Sequence, residues 1–125
     1  MTKTLSIDFD GTLTGYADFP SIPEPTIIHR IVGRIVKHLQ KRGWYIILNT
    51  CREGREVTTA VAFCLMFHDF APNTANCNAP WLIEKYGDCR KILADYYLDD
   101  RNIGLIGLLL RLASRKKMRV WVDME

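Results

Sequence analysis

Apolar residues fall in short blocks whose spacing changes along the chain, and each change marks a new element. Leu5 to Phe9 is a compact, largely apolar run closed abruptly by Asp10-Gly11-Thr12, which predicts a short buried strand. Leu13 to Pro25 holds three prolines and mixed polarity and is expected to be a loop or hairpin. From Glu24 the positions Ile27, Ile31, Ile35 and Leu39 recur at helical spacing, Val32 and Val36 widen the stripe, and Gly43 supplies a C-cap. Trp44 to Leu48 then reads as a second buried strand. Glu53 to Phe70 carries Val57, Val61, Cys64, Leu65 and His68 in helical register and is closed by Pro72. A weak strand at Asn73–Cys77 and a loop at Asn78–Asp88, with Pro80 and Gly87, follow. Ile92 to Leu98 predicts a strand ending in Asp99-Asp100. A helix over about 103–117 and a last edge strand over 119–122 complete the pattern.

Strands alternate with helices throughout, which predicts an α/β sandwich with a central, mainly parallel sheet. All 125 residues are expected in one domain, enough for a single core. In such folds ligands bind beyond the carboxyl ends of the strands. Asp8/Asp10, Thr50 and Asp99/Asp100 all stand at predicted strand ends, so they mark one rim of one sheet.

Composition changes this picture little. The chain is 48% hydrophobic and 25% charged, as soluble globular domains are, and has neither internal repeat nor low-complexity segment. Its net charge is +3, with cations collected in Arg111, Arg115, Lys116, Lys117 and Arg119. A nucleic-acid contact is open there, but a solvated helix end is the favoured reading, because aromatic residues do not interleave with the charges. Cys51, Cys64, Cys77 and Cys89 form no C-x-x-C pair, so zinc and redox motifs are unsupported. The start MTKTLSIDFD has no signal-peptide layout, and the apolar run from Ile103 to Leu110 is broken by Gly104 and Gly107. The expectation is a cytoplasmic protein with free thiols and no membrane partner.

The acidic positions carry the chemistry. Strand periodicity aims Asp8 and Asp10 to the same side, Gly11 permits a sharp exit, and the Thr12 hydroxyl is placed to hold the loop. Taken alone, Asp-x-Asp-Gly is also a common turn. The second acidic pair, after another apolar strand, tips the balance. Carboxylates crowded on one sheet edge repel unless one is protonated or a cation lies among them. Oxygen donors and an anionic substrate point to Mg²⁺ rather than zinc.

SIDFDGTLT resembles the first motif of the haloacid dehalogenase-like superfamily, and ILNT resembles its second. Lys91 matches the position of the third-motif lysine, and YYLDDRNIG is similar to the fourth motif. The four occur in the family's order across nearly the whole chain. NTCREG and YGDCRKILADYYLDDRNIG are similar in particular to short, capless bacterial and phage members. The resemblance implies a three-layer, Rossmann-like core and a Mg²⁺-dependent phosphohydrolase. It implies that Asp8 attacks phosphorus and that Asp10 serves as general acid and base. It also implies that Asp8, the Asp10 carbonyl, Asp99 and Asp100 hold the metal, and that Thr50 and Lys91 act on the phosphoryl group. Gly11, Thr12, Cys51 and Arg52 complete the expected substrate-binding set, although the Cys51 thiol itself reads as a bystander. The acid at Asp10 argues against dehalogenase chemistry.

Several assignments stay open at this level. Lys85 competes with Lys91 as the site cation, and Arg52 either binds substrate or pairs with an acid, structural or catalytic. Arg101 is expected on the rim, and His29, His38 and His68 away from it. Tyr16, Phe19 and Trp81 lie on the two loops expected to flank the site, where they either hold substrate or pack the loops. Neither 13–25 nor 78–88 has room for a cap domain. The resemblance implies that such a core accepts a large substrate or borrows a neighbouring subunit as a lid, so a homo-oligomer stays open as a partner. Phosphoryl transfer by a mutase or phosphotransferase, a phosphatase acting on nucleic-acid ends, and a non-catalytic phosphate- or partner-binding module are the alternatives.

Overall fold

The computed structural model describes residues 2–115 and 119–122. Strands β1 (Thr4–Asp8), β3 (Tyr45–Asn49), β4 (Thr74–Ala75) and β5 (Tyr96–Leu98) form one sheet in the order β4-β3-β1-β5. Every pairing in it is parallel. The chain is therefore α/β with a four-stranded parallel sheet, as the alternation of elements predicted.

A core of Leu5, Ile7, Ile46 and Leu48 packs beneath three helices. These are α1 (Ile27–Lys41), α2 (Arg55–Phe63) and α4 (Leu105–Ser114), which contribute Val32, Val36, Ala60, Phe63 and Leu110. A π-helical turn over Cys64–His68 continues α2, so the predicted long helix over 53–70 changes its hydrogen bonding part-way. On the other sheet face Tyr45 meets Trp81 of α3 (Pro80–Tyr86), ring centroids 5.0 Å apart. That short helix lies where a loop was predicted. Proline at its first turn loses no intrahelical hydrogen bond, which is why Pro80 starts a helix rather than breaking one.

The buried face of α1 differs from the expected stripe. Ile27, Ile31 and Ile35 are exposed, and His29, Val32, Gly33 and Val36 face the core. Helical periodicity alone offers both faces, and the side chain at position 33 decides. A Cβ on Gly33 would lie 2.0 Å from His68 Nδ1, so only glycine lets the helix approach the π turn this closely. His68 Nε2 then donates to the Leu13 carbonyl at 2.8 Å.

The strand expected from Ile92 begins only at Tyr96, because Asn78 captures the preceding backbone. Its side chain bonds the Leu93 amide (2.6 Å) and the Lys91 carbonyl (2.9 Å). The terminal strand β6 (Val120–Val122) does not extend the main sheet. It pairs antiparallel with β2 (Ile22–Pro23), and the Glu24 amide donates to the Arg119 carbonyl at 2.7 Å. Lys116 and Lys117 of the predicted basic cluster lie outside the described residues.

Candidate active site

Parallel register builds the site. Asp8 stands beside Asn49, and Ile7 beside Leu98, so the residues following each strand emerge together at one end of the sheet. There β1 delivers Asp8 and Asp10, β3 delivers Thr50 and Arg52, and β5 delivers Asp99 and Asp100. The predicted rim is assembled.

Asp100 lies only 2% exposed under the loop that follows β1. Its Oδ2 accepts a hydrogen bond from the Tyr16 hydroxyl, and Oδ1 is buried with no partner. Gly11 makes this approach possible. Its φ of +88° suits glycine, and a Cβ there would sit 2.5 Å from both Asp100 Oδ2 and Tyr16 Oη. Thr12 is buried too, its hydroxyl oxygen unpartnered, while its amide turns back to the Phe9 carbonyl at 3.2 Å.

Burial pushes the Asp8 carboxyl up to about 8, and the charge of Asp100, a hydrogen bond shared with it and the charge of Asp10 act in the same direction. No cation appears among these influences. The site thus holds a carboxyl that prefers its proton at neutral pH unless positive charge arrives. The Tyr16 hydroxyl is likewise held above its ordinary range, by burial first and then by Asp100.

Asp10 is positioned differently. Arg52, only 2% exposed, grips both its oxygens, Nε to Oδ2 at 2.9 Å and Nη2 to Oδ1 at 2.8 Å. The same guanidinium donates to the Pro20 carbonyl at 2.8 Å and lies over the Phe9 and Phe19 rings. Of the readings open in the sequence, pairing with a site acid is the one observed. Thr50 is nearly buried, accepts the Arg52 amide on Oγ1 (3.1 Å) and donates its own amide to Asn76 (2.7 Å).

Other expected members are not brought in. Asp99 turns aside at the rim, its Oδ1 accepting the Arg101 amide at 2.9 Å, because the chain turns there. Lys91 is exposed and pairs with no acid among the described residues. Asn78 donates to its backbone carbonyl at 2.9 Å. Lys85 lies at the opposite end of the strands, in a cleft of about 520 Å³ that it lines with Thr4, Trp81 and Asp95. Trp81 is therefore not at the site, and of the three aromatics only Tyr16 and Phe19 border it. Cys51 is an exposed free thiol. Among the described residues, no group of three or more His, Cys, Asp or Glu side chains stands ready to hold a metal ion, since Asp10 is turned to Arg52 and Asp99 to its own turn.

The histidines lie off the rim as expected, yet one supports it. Burial drops His29 to about 4. Nδ1 accepts the Thr26 amide (3.0 Å), so Nε2 carries the proton to Ser114 Oγ (3.0 Å), which donates to the Gly11 carbonyl (3.1 Å). Arg111, read from sequence as part of a solvated cluster, donates to the carbonyls of Asp100 (2.6 Å) and Asn102 (2.9 Å). A lone cation inside the apolar run from Leu105 to Leu112 was the signal for that role.

No family model matches the chain, and no curated protein matches it. A solved structure of a conserved protein from Bacteroides thetaiotaomicron is similar, 29% identical over 94% of each chain with a TM-score of 0.68. The two chains share the α/β fold over nearly their whole length.

Proposed function

We propose that this chain is a magnesium-dependent phosphomonoester hydrolase of the haloacid dehalogenase-like type. One observation carries this reading. Asp8 and Asp100 are brought together at the carboxyl end of a parallel sheet, where burial and mutual repulsion hold Asp8 far above an ordinary carboxyl. A cluster of this kind is relieved by a hard cation.

The donor set fits Mg²⁺. The unpartnered Asp100 Oδ1 is a buried oxygen in need of a partner, and Mg²⁺ characteristically takes one or two carboxylates and keeps several waters. Asp8, Asp100 and the backbone carbonyl of Asp10 would hold it. Asp99 is left out of this set. When bound, the ion supplies positive charge against the phosphoryl oxygens.

The chain's own groups then divide the work. Asp10 takes up a proton as one of its oxygens leaves Arg52. The Asp8 carboxylate attacks phosphorus, and the bond to the leaving oxygen breaks as that oxygen takes this proton from Asp10. Asp10 next removes a proton from water, which attacks the aspartyl-phosphate and releases phosphate with Asp8 restored. Both Asp10 oxygens accept from Arg52, so one exchanges that contact for the leaving oxygen as substrate enters. Thr50 Oγ1, which accepts the Arg52 amide, would donate its own hydroxyl proton to a phosphoryl oxygen. Among the described residues the rim carries no cap domain but is bordered by the loop with Tyr16 and Phe19, which suits a large or extended phosphate ester.

Calorimetric titration with Mg²⁺ and hydrolysis of an aryl phosphate test the reading together. Asp100→Asn should weaken Mg²⁺ binding by at least about tenfold, as loss of a charged hard ligand does. Asp99→Asn should change it by less than about threefold. No magnesium-dependent hydrolysis by the wild type, or unchanged affinity in Asp100→Asn, would remove the proposal.

The third-motif position gives a further comparison. Lys91 is tied to Asn78, which follows β4 on the site's side of the sheet, whereas Lys85 lies at the far end. We assign Lys91 to the incoming phosphate rather than to Asp8. Lys91→Ala should then lower turnover by about two orders of magnitude, on the scale of one lost electrostatic contact. Lys85→Ala should change it less than about threefold. The reverse order in paired kinetics would contradict this placement.

A further inference from the structure

We infer that Tyr16 is a positioning residue for Mg²⁺, its hydroxyl holding one oxygen of Asp100 so that the other is presented to the ion. The inference rests on the magnesium site proposed above. The Tyr16 hydroxyl donates to Asp100 Oδ2, and Oδ1 of the same carboxylate is buried without a partner. The terminal torsion of an aspartate is soft, so a donor held on one oxygen decides where the other lies. Asp100 is buried, which leaves water poorly placed to take over that task. Mg²⁺ demands near-ideal octahedral geometry, and a ligand left free to turn binds it less well. Outer partners that orient metal ligands commonly carry about ten- to hundredfold of metal affinity.

The fold fixes Tyr16 from both sides. Two residues before it, the buried Thr14 donates its hydroxyl to the Pro23 carbonyl at 2.6 Å, and the Leu13 carbonyl accepts from His68 at 2.8 Å. Beyond it, the Pro20 carbonyl accepts from Arg52 at 2.8 Å, and the Ser21 amide donates to the Asp18 carbonyl at 2.8 Å. Gly11 leaves the room the hydroxyl needs, since a Cβ there would lie 2.5 Å from Tyr16 Oη. The Tyr16 ring itself is exposed, so its packing contributes little to the core. What the loop delivers to the acidic cluster is the hydroxyl.

Calorimetric titration of the full chain with Mg²⁺ tests this. Tyr16→Phe, which removes only the hydroxyl, should weaken binding by about tenfold or more. Tyr86→Phe, the same change on an exposed ring at the far end of the sheet, should alter it less than about threefold. Circular dichroism in chelator should be that of the wild type for both. A double-variant comparison separates positioning from packing. In an Asp100→Ala background the hydroxyl has nothing to hold, and Tyr16→Phe should then change affinity less than about threefold. A wild type that binds no Mg²⁺ would remove the site and this inference with it. Mg²⁺ binding that weakens in Asp100→Asn but stays unchanged in Tyr16→Phe would overturn the inference alone. So would tighter binding in Tyr16→Phe, the mark of a hydroxyl that competes with the ion, or an equal loss in the Asp100→Ala background.

Discussion

Asp8→Asn should abolish phosphate-ester hydrolysis and, in the absence of metal, make the folded protein more stable at alkaline pH. An amide of nearly the same volume has no lone-pair anion to attack phosphorus, so turnover should fall by roughly four orders of magnitude or more, as removal of other enzymes' nucleophiles does. The stability change has a defined sign. The folded-state value of Asp8 stands at about 8 against an ordinary 3.8, so the fold favours the protonated form. That contribution is complete below about pH 4 and is lost as pH rises through about 8, where the wild type must ionise a buried carboxyl beside Asp100. Asn never ionises. The variant's advantage should therefore be small near pH 4, grow through neutrality and level off above pH 8 to 9, a window set by the same shift. Thermal melts in chelator across this range, beside assays with Mg²⁺, check both parts. Near-full turnover would refute the nucleophile, and a flat difference with pH would refute the electrostatic account of the cluster.

Arg52→Ala should be among the most destabilising single changes in the chain. It strips Asp10 of both its partners and leaves the Pro20 carbonyl without its donor. Removing one member of a buried, hydrogen-bonded ion pair costs about 3 to 5 kcal/mol. Asp10 is itself 30% exposed, so water takes up part of the loss and the lower figure is expected, about 10 °C in Tm for a domain of this size. Arg52→Lys should not recover it, since a point ammonium has no fork to match both carboxylate oxygens and the loop carbonyl. Asp10→Asn in the Arg52→Ala background should restore part of the stability and none of the activity. A loss of under about 1 kcal/mol for Arg52→Ala, in denaturant titrations, would show that the pair is not what holds Asp10 and its loop.

The order of elements, the parallel sheet and the rim carrying Asp8, Asp10, Thr50 and Asp100 were legible in the chain. Apolar runs ended by Asp-Gly, Asn-Thr and Asp-Asp record both where a buried strand stops and what it presents there. Four things were not legible, and each depends on contacts between distant segments. Which flank of α1 is buried turned on Gly33 meeting His68, because a 3.6-residue period describes two faces equally well when isoleucines occupy one and valines the other. The partner of Arg52 turned on where β3 sets it relative to the loop after β1, a distance no local pattern encodes. Lys85 belongs to a helix that Pro80 starts, and that helix carries it to the far end of the sheet, whereas Lys91 comes after the helix has ended. Asp99 and Asp100 are adjacent in sequence and carry the same charge, yet alternation along an extended chain buries one under Tyr16 and leaves the other to cap its own turn. Local chemistry and periodicity thus determined which residues stand at the rim. Only the packing of separate segments decided which of them face one another.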